Sequence, residues 1–353
     1  MQLLRPFIVG ALLGTVTPHA RGQNLDLTPI DRIMQASLST LGGSANLLLI
    51  RNGKTIYRKS FGKFTPDTVV PIASASKWIS AGVIMRLVEK GTLSLEDPVS
   101  KYFPDAPADK GGITLRQLFA FTGGFPFQNS CMNDHTTMTL DRCAHEILRA
   151  PLQIPAGTGF VYSGASMMVG GRMAEIASGK DWNTLFQQEI AGPLGMNSTR
   201  FEPINPRVPG GARSNMDDYG KFLAMILNHG VHNGKQILTE KTLIEMRTDQ
   251  SGGVPIRFSP NSVFASLDPE IPKTRYGIGE WLDRVDEKGR GIEVSSTGAF
   301  GYVPWIDLKY NLAGVLLVES TYQKSTPVYL ELKKALHEIL TEAHQTTQDR
   351  SAK

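Results

Sequence analysis

Several common signatures are missing from this chain. Only two of its 353 residues are cysteines, so at most one intrachain disulfide is available. The 37 Lys and Arg against 33 Asp and Glu leave a formal charge of +4, too little to point to nucleic acid or another polyanion as partner. No apolar run is long enough to span a bilayer. A G-x-S-x-G elbow is absent, which argues against an α/β-hydrolase site. The glycine-rich "TGGF" and "VGG" lack the strand-turn-helix setting of a phosphate-binding loop. His145-Glu146 and His337-Glu338 begin like H-E-x-x-H, but Arg149 and Thr341 stand where the second histidine belongs. His229 and His232, in "NHGVHNG", read as a turn with solvated rings. No metal and no organic cofactor is implied, and neither repeats nor low-complexity blocks are present.

What remains is an ordinary globular composition, 41% hydrophobic and 20% charged, long enough for one large domain or two closely packed lobes. The first residues differ from the rest. Arg5 precedes the apolar run Phe7 to Val16, and small residues follow at Ala20 and Gly22, the pattern of an export signal (residues 1–22) cleaved before Gln23. Its removal takes away Arg5 and Arg21 and no acid, lowering the charge from +4 to +2. The expected location is therefore periplasmic or secreted. In that setting Cys131 and Cys143 could close one short disulfide loop or remain as two buried thiols, and the sequence leaves both open.

Residues 28–41 have helical spacing and stop at Gly42-Gly43. "NLLLIRNGKTIYRKSFG" then reads as two strands joined by Asn52-Gly53, a pair that supplies the positive φ angles of a tight hairpin. "RYGIGEWLD", "GIEVSSTGAFGYVPWIDL" and "NLAGVLLVES" read as further strands, with a closing helix over 326–344. The stretch between is mainly helical, with helices expected over 78–90, 113–121, 139–149, 165–178, 182–191, 216–229 and 239–247. The two ends must meet to complete one antiparallel sheet. The expected class is α+β, with a sheet lobe (about 23–73 and 270–345), a helical lobe (about 78–265) inserted into it, and a disordered tail over 346–353. A ligand site belongs in the crevice between the lobes.

At the handover from strand to helix lies Ser74-Ala75-Ser76-Lys77, an S-x-x-K tetrad. Residues three apart share a helix face, so Ser74 and Lys77 can touch. A second tetrad, Ser60 to Lys63, straddles the end of the hairpin, where such residues point to opposite faces, and is a decoy. The plain alternative for Ser74 is a helix cap. Against it, a buried lysine is costly to keep charged, and desolvation lowers its pKa toward that of a useful base.

Further segments follow in order. "ITLRQLFAFTGGF" (113–125), "GTGFVYSGASMMVGGRMAEIASG" (157–179), "IAGPLGMNSTRF" (190–201) and "SSTGAFGYVPWID" (295–307) resemble successive motifs of the serine β-lactamase-related hydrolases, in the branch of class C β-lactamases, DD-peptidases and family VIII esterases. The resemblance spans about residues 28–340 and implies a β-lactamase/DD-peptidase-like fold. It also implies that Ser74 is the nucleophile, Lys77 its activating neighbour and Tyr162 the second basic group. The oxyanion hole would be the backbone N–H of Ser74 and of Ala299, after the Ser296-Thr297-Gly298 triplet. Physical chemistry fits those roles. A serine hydroxyl needs a neighbouring base to attack near neutral pH, a helix start aims donors at a developing oxyanion, and a tyrosine could serve as base if the Lys77 cation lowered its pKa.

Phe121 and Gly123 stand in the histidine and serine places of the first of these segments, and two further departures bear on substrate. Ser296 stands where lysine or histidine usually opens the triplet, so a cation that would hold a substrate carboxylate is missing there. Gly164 replaces an asparagine that hydrogen-bonds a substrate amide. Both changes spare acyl transfer while weakening recognition of β-lactams and D-Ala-D-Ala peptides. The expected substrate is a small-molecule ester or small amide. The alternatives are a class C-type β-lactamase or DD-peptidase, and a non-catalytic ligand-binding relative.

Overall fold

The computed structural model describes residues 25–351; the expected export segment and the final two residues lie outside them. Helix α1 (Thr28–Ser37) leads to strands β1 (Ala45–Arg51) and β2 (Lys54–Phe61). At the turn between the strands, Asn52 and Gly53 hold φ of 50° and 72°, the left-handed values a tight hairpin requires. The chain then builds its helical part, in which α2 (Ser76–Glu89), α3 (Leu140–Arg149), α4 (Gly164–Ser178) and α5 (Met216–Leu227) are the main elements. It returns to the sheet through β3 (Arg275–Tyr276), β4 (Trp281–Val285), β5 (Gly291–Ser295), β6 (Val303–Asp307) and β7 (Leu312–Val318), and ends in α6 (Tyr322–Ser351). The sheet order is β2-β1-β7-β6-β5-β4-β3, antiparallel throughout. The fold is thus α+β, an antiparallel sheet flanked by the first and last helices with a mainly helical part inserted, as expected.

Side-chain alternation explains why both faces of the sheet are covered. Leu47 and Leu49 of β1, with Leu312, Leu316 and Val318 of β7, join Ile30 and Met34 of α1 and Leu332, Leu336 and Leu340 of α6 in one core. Leu48 and Ile50, with Ala313, Val315 and Leu317, face the other way, into the core shared with the helical lobe. There α5 lies close, and Gly220 is needed because a side chain would strike Leu48. Helix α2 is buried from Ser76 to Met85 without a break, so it is the central post of the helical lobe rather than an amphipathic surface helix.

The structure corrects several boundaries. The 113–121 helix shrinks to Leu115–Phe119, started by a Thr114/Gln117 capping box. The 182–191 helix divides into Trp182–Phe186 and a π-helical turn, Gln187–Ala191. Helix α6 starts at Tyr322, leaving Pro327 inside it, and its backbone continues through 346–351, where a disordered tail was expected. No glycine or proline interrupts those residues, so a helix anchored by its buried N-terminal half can propagate. Cys131 and Cys143 are bridged, with Cα atoms 5.3 Å apart. Among the described residues no helix is long and apolar enough to cross a membrane.

Candidate active site

The chain leaves the short strand Val70–Pro71, makes a one-turn 3-10 helix at Ala73–Ala75, and enters α2. Ala73 sits at φ 45°, a left-handed conformation that costs a non-glycine residue roughly 1 kcal/mol or more. The bend places Ser74 at the head of α2. Its hydroxyl is the cap of neither helix, whose N-cap positions fall on Ile72 and Ala75. Instead it accepts a hydrogen bond from Lys77 Nζ at 3.0 Å, so the plain cap is overturned.

Lys77 is 3% exposed, and its Nζ also donates to the Pro209 carbonyl at 2.9 Å. Burial, with a smaller contribution from the Arg207 cation, pulls its pKa down to about 7. The same Nζ lies 4.8 Å from the centroid of the Tyr162 ring. Tyr162 enters from the strand Phe160–Val161, whose amide at Val161 donates to the Phe121 carbonyl at 2.9 Å. Its phenol meets the Ser74 hydroxyl. The ring is stacked on Trp281 at 5.0 Å and flanked by Phe121 at 4.9 Å and Phe127 at 6.1 Å.

One expectation fails here. Burial raises the Tyr162 pKa, and the Ser74 hydrogen bond only partly opposes the rise. The lysine that was to lower it is itself substantially neutral near pH 7. The aromatic enclosure removes the solvation a phenolate needs, so Tyr162 is held as a neutral phenol, and Lys77, lowered to about 7, is the group of the pair that can lose its proton near neutral pH.

The segment after β5 runs alongside the Ile72–Ser74 turn. Ser296 is 2% exposed, and its Oγ donates to the Ser74 carbonyl at 3.3 Å. It braces the serine turn rather than facing outward. Thr297 and Ser295 line a groove of about 1010 Å³, with Trp281 and Tyr322 among its walls. Gly298 is required by close approach, since a Cβ there would strike the Ile72 carbonyl. Gly298 N–H donates to the Tyr302 carbonyl at 2.8 Å and the Ala299 carbonyl accepts from Tyr322 N–H at 2.9 Å, fixing the turn. Ala299 is exposed. Among the described residues the N–H groups of Ser74 and Ala299 donate to no protein acceptor, as a pair of oxyanion donors requires.

Gly164 is placed differently from the other candidates. Its N–H donates to the Phe127 carbonyl at 2.8 Å, and a Cβ would meet Met132 Cε at 2.9 Å. It therefore packs into the wall beside the site, while Ser163 caps α4 through the Ser166 N–H at 3.1 Å. That wall, residues 125–135, is tethered by the Cys131–Cys143 bridge and by Asn205, whose amide donates to the carbonyls of Cys131 and Asp134 at 3.1 and 3.0 Å.

Sequence reasoning missed Arg207, Trp281 and Tyr276. Trp281 and Tyr276 gave only strand-like signals. Arg207, in "INPRVPGG", is a lone cation in a Pro/Gly turn, a weak sign that was available. The decoy Ser60 lies on β2 opposite Asn46. One group of potential metal ligands comes together among the described residues, Glu293, Asp307 and His337. Lys333 Nζ lies 2.5 Å from Glu293 and His337 Nε2 lies 2.7 Å from Asp307, so these groups already engage one another and Lys333.

The profile of the family described as Beta-lactamase matches residues 30–337. Among curated proteins, the D-alanyl-D-alanine-carboxypeptidase/endopeptidase AmpH of Escherichia coli (strain K12) is 28% identical over 190 residues, 49% of this chain and 49% of that protein. Protein flp of Staphylococcus aureus (strain NCTC 8325 / PS 47) is 28% identical over 175 residues, 46% of this chain and 35% of that protein. The chain spans about half the length, or less, of the curated relatives it matches. A solved structure from Bacteroides dorei DSM 17855, provisionally designated a beta-lactamase, is 32% identical with a TM-score of 0.80, covering 90% of this chain and 99% of that one. A family VIII carboxylesterase shares the fold at TM-score 0.68 and 17% identity, covering 89% of this chain and 97% of that one.

Proposed function

The chain belongs to the Beta-lactamase family of serine hydrolases, and from that premise we propose that it is an exported hydrolase acting through an acyl-enzyme on a carboxylic ester or small amide. The observation that carries this reading is the meeting of the Ser74 hydroxyl with Lys77 Nζ at 3.0 Å and with the Tyr162 phenol, beside two backbone donors that no protein group uses.

Neutral Lys77 takes the hydroxyl proton as Ser74 Oγ bonds to the substrate carbonyl carbon. The carbonyl oxygen becomes an oxyanion held by the N–H groups of Ser74 and Ala299. As the tetrahedral species collapses, the bond from carbon to the leaving oxygen or nitrogen breaks. Tyr162 donates its proton to the leaving group and recovers one from the Lys77 ammonium. Water then repeats the sequence in reverse: its proton passes to Lys77, its oxygen bonds to the acyl carbon, and as the carbon–Oγ bond breaks the Lys77 ammonium returns that proton to Ser74 Oγ, releasing the acid and restoring both groups. The neutral phenol suits donation, and the lysine with a pKa of about 7 suits proton acceptance.

Esters lead over β-lactams because Ser296 supplies no cation and Gly164 no amide toward substrate. The D-alanyl-D-alanine carboxypeptidase activity named for AmpH supports a second reading, a DD-peptidase. The test is incubation of the full chain with a fluorophosphonate and, separately, penicillin, followed by mass spectrometry and by turnover of p-nitrophenyl butyrate. Labelling of Ser74 and loss of turnover in Ser74→Ala are expected. Unchanged turnover in Ser74→Ala overturns the assignment, and faster turnover of cephalosporins or D-Ala-D-Ala peptides than of esters overturns the substrate class.

A further inference from the structure

Among the described residues, one cation beside this site has no carboxylate partner. Arg207 sits in the turn Pro206–Gly211, where its carbonyl accepts from the N–H groups of Gly210 and Gly211 at 2.6 and 2.7 Å. Its own φ is 45°, so the backbone is held in a left-handed conformation that an arginine does not choose unaided. The turn is clamped onto α2: Ser80 Oγ donates to the Val208 carbonyl at 2.7 Å and Lys77 Nζ to the Pro209 carbonyl at 2.9 Å. Gly210 packs against the Ala73 backbone, and the Pro209 ring borders Gly164. The turn that carries Arg207 is therefore fixed beside Ala73, Lys77 and Gly164, and the Arg207 cation is close enough to Lys77 to act on its charge.

The head of that side chain finds no anion. Among the described residues no carboxylate forms an ion pair with Arg207 or with Lys77. Glu202 acts on the guanidinium only at longer range. The guanidinium is half-buried, its Nε is buried without a hydrogen-bond partner, and its Nη1 reaches only His135 Nε2, at 3.4 Å. A planar fork of donors with an imidazole at one edge is the chemistry of a carboxylate receptor. A half-buried guanidinium with no counter-charge is costly unless a ligand supplies one.

We propose that Arg207, with His135 at its edge, binds a carboxylate of the substrate, so that the preferred ester or amide is anionic. The inference rests on the hydrolase reading above and deepens it. It moves the missing cation from the Ser296 strand to the opposite wall, next to the bridged loop. The constraint on substrate differs accordingly: the carboxylate must reach the helical-lobe side of the scissile carbonyl.

The test compares three esters on the full chain at low ionic strength: p-nitrophenyl butyrate, the mono-p-nitrophenyl ester of glutarate, and 4-carboxyphenyl butyrate. They carry no carboxylate, one on the acyl side, and one on the leaving group. The expected result is a kcat/KM for one carboxylate ester roughly ten- to a hundredfold above that of the neutral ester, the range for a charge-assisted pair. That ratio should fall toward one at 0.5 M salt, and also in Arg207→Gln, with partial recovery in Arg207→Lys and none of the change in the distant control Arg32→Gln. Using the ratio within each variant separates binding from the effect of Arg207 on Lys77, which moves the pH profile for all three esters alike. Equal kcat/KM for the three wild-type esters, or a ratio that survives Arg207→Gln, overturns the proposal even if Ser74 is labelled and active. If no ester is turned over and Ser74 resists the fluorophosphonate, the hydrolase reading falls and the anion site with it.

Discussion

Replacing Lys77 by methionine should make this protein more stable while abolishing its activity. The reasoning starts from burial: Lys77 is 3% exposed and titrates near 7 in the folded chain against an ordinary 10.5. In the unfolded chain the amine recovers its water and its high pKa. At pH 7 the folded state therefore forgoes a protonation free energy of about 4 kcal/mol, from a 3.5-unit difference at about 1.4 kcal/mol per unit, less the half-protonation at that pH. Methionine removes this penalty and fills nearly the same volume. It also removes hydrogen bonds to Ser74 Oγ and the Pro209 carbonyl, together worth about 1–3 kcal/mol. The net gain at pH 7 is on the order of 1–3 kcal/mol, a few degrees in Tm for a chain of this size. The pH dependence carries the sign. Because the folded pKa is depressed, the wild type is destabilised in full below about 7 and regains stability as pH rises from about 7 toward 10.5. The advantage of Lys77→Met should shrink over that interval. Denaturant unfolding of both proteins from pH 6 to pH 10 measures it. A variant less stable than wild type at pH 7, or a difference that does not change with pH, would refute the claim that Lys77 is held neutral by burial.

Other consequences can be checked independently. The kcat/KM for p-nitrophenyl butyrate should rise with pH through about 7 and then level off if, as proposed, neutral Lys77 is the base; a profile flat from pH 5.5 to 8.5 excludes it. Tyr162→Phe should slow acylation by roughly a hundredfold or more while KM stays within about threefold, since it removes a proton donor but keeps the ring on Trp281; stopped-flow burst kinetics at the wild-type rate would assign the proton to another group. Gly298→Ala should cost roughly a hundred- to a thousandfold in kcat, because the new Cβ strikes the Ile72 carbonyl and displaces the Ala299 N–H from the oxyanion position; the rate, with far-UV circular dichroism as a folding control, checks it.

How much of the site could be read in advance depends on how local its geometry is. Ser74 and Lys77 lie one turn apart, and the helix rule that joins them operates within four residues. The decoy at Ser60 fails for the same local reason, being on a strand. The hairpin is equally local: Asn52-Gly53 carries the positive φ angles that join its two strands. Tyr162 came within reach only through a resemblance of ordered segments. Its protonation could not be foreseen, because Trp281, Phe121 and Phe127 arrive from distant parts of the chain to desolvate it. Ser296 and Gly164 were identified by motif position, yet one turns back to brace Ser74 and the other packs against Met132. Direction in space is not a property of a motif.

By itself, then, the sequence determined the period of each element, the hairpin at Asn52-Gly53, the meeting of the two ends in one sheet and the amine one turn below the serine. These follow from bond geometry and side-chain spacing over a few residues. Only the tertiary structure decided that the amine titrates near 7, that the phenol stays protonated, that the two cysteines are bridged and that, among the described residues, Arg207 meets no carboxylate. Each of these is set by desolvation and by charges or atoms brought close from far along the chain, and those distances exist only once the lobes have packed.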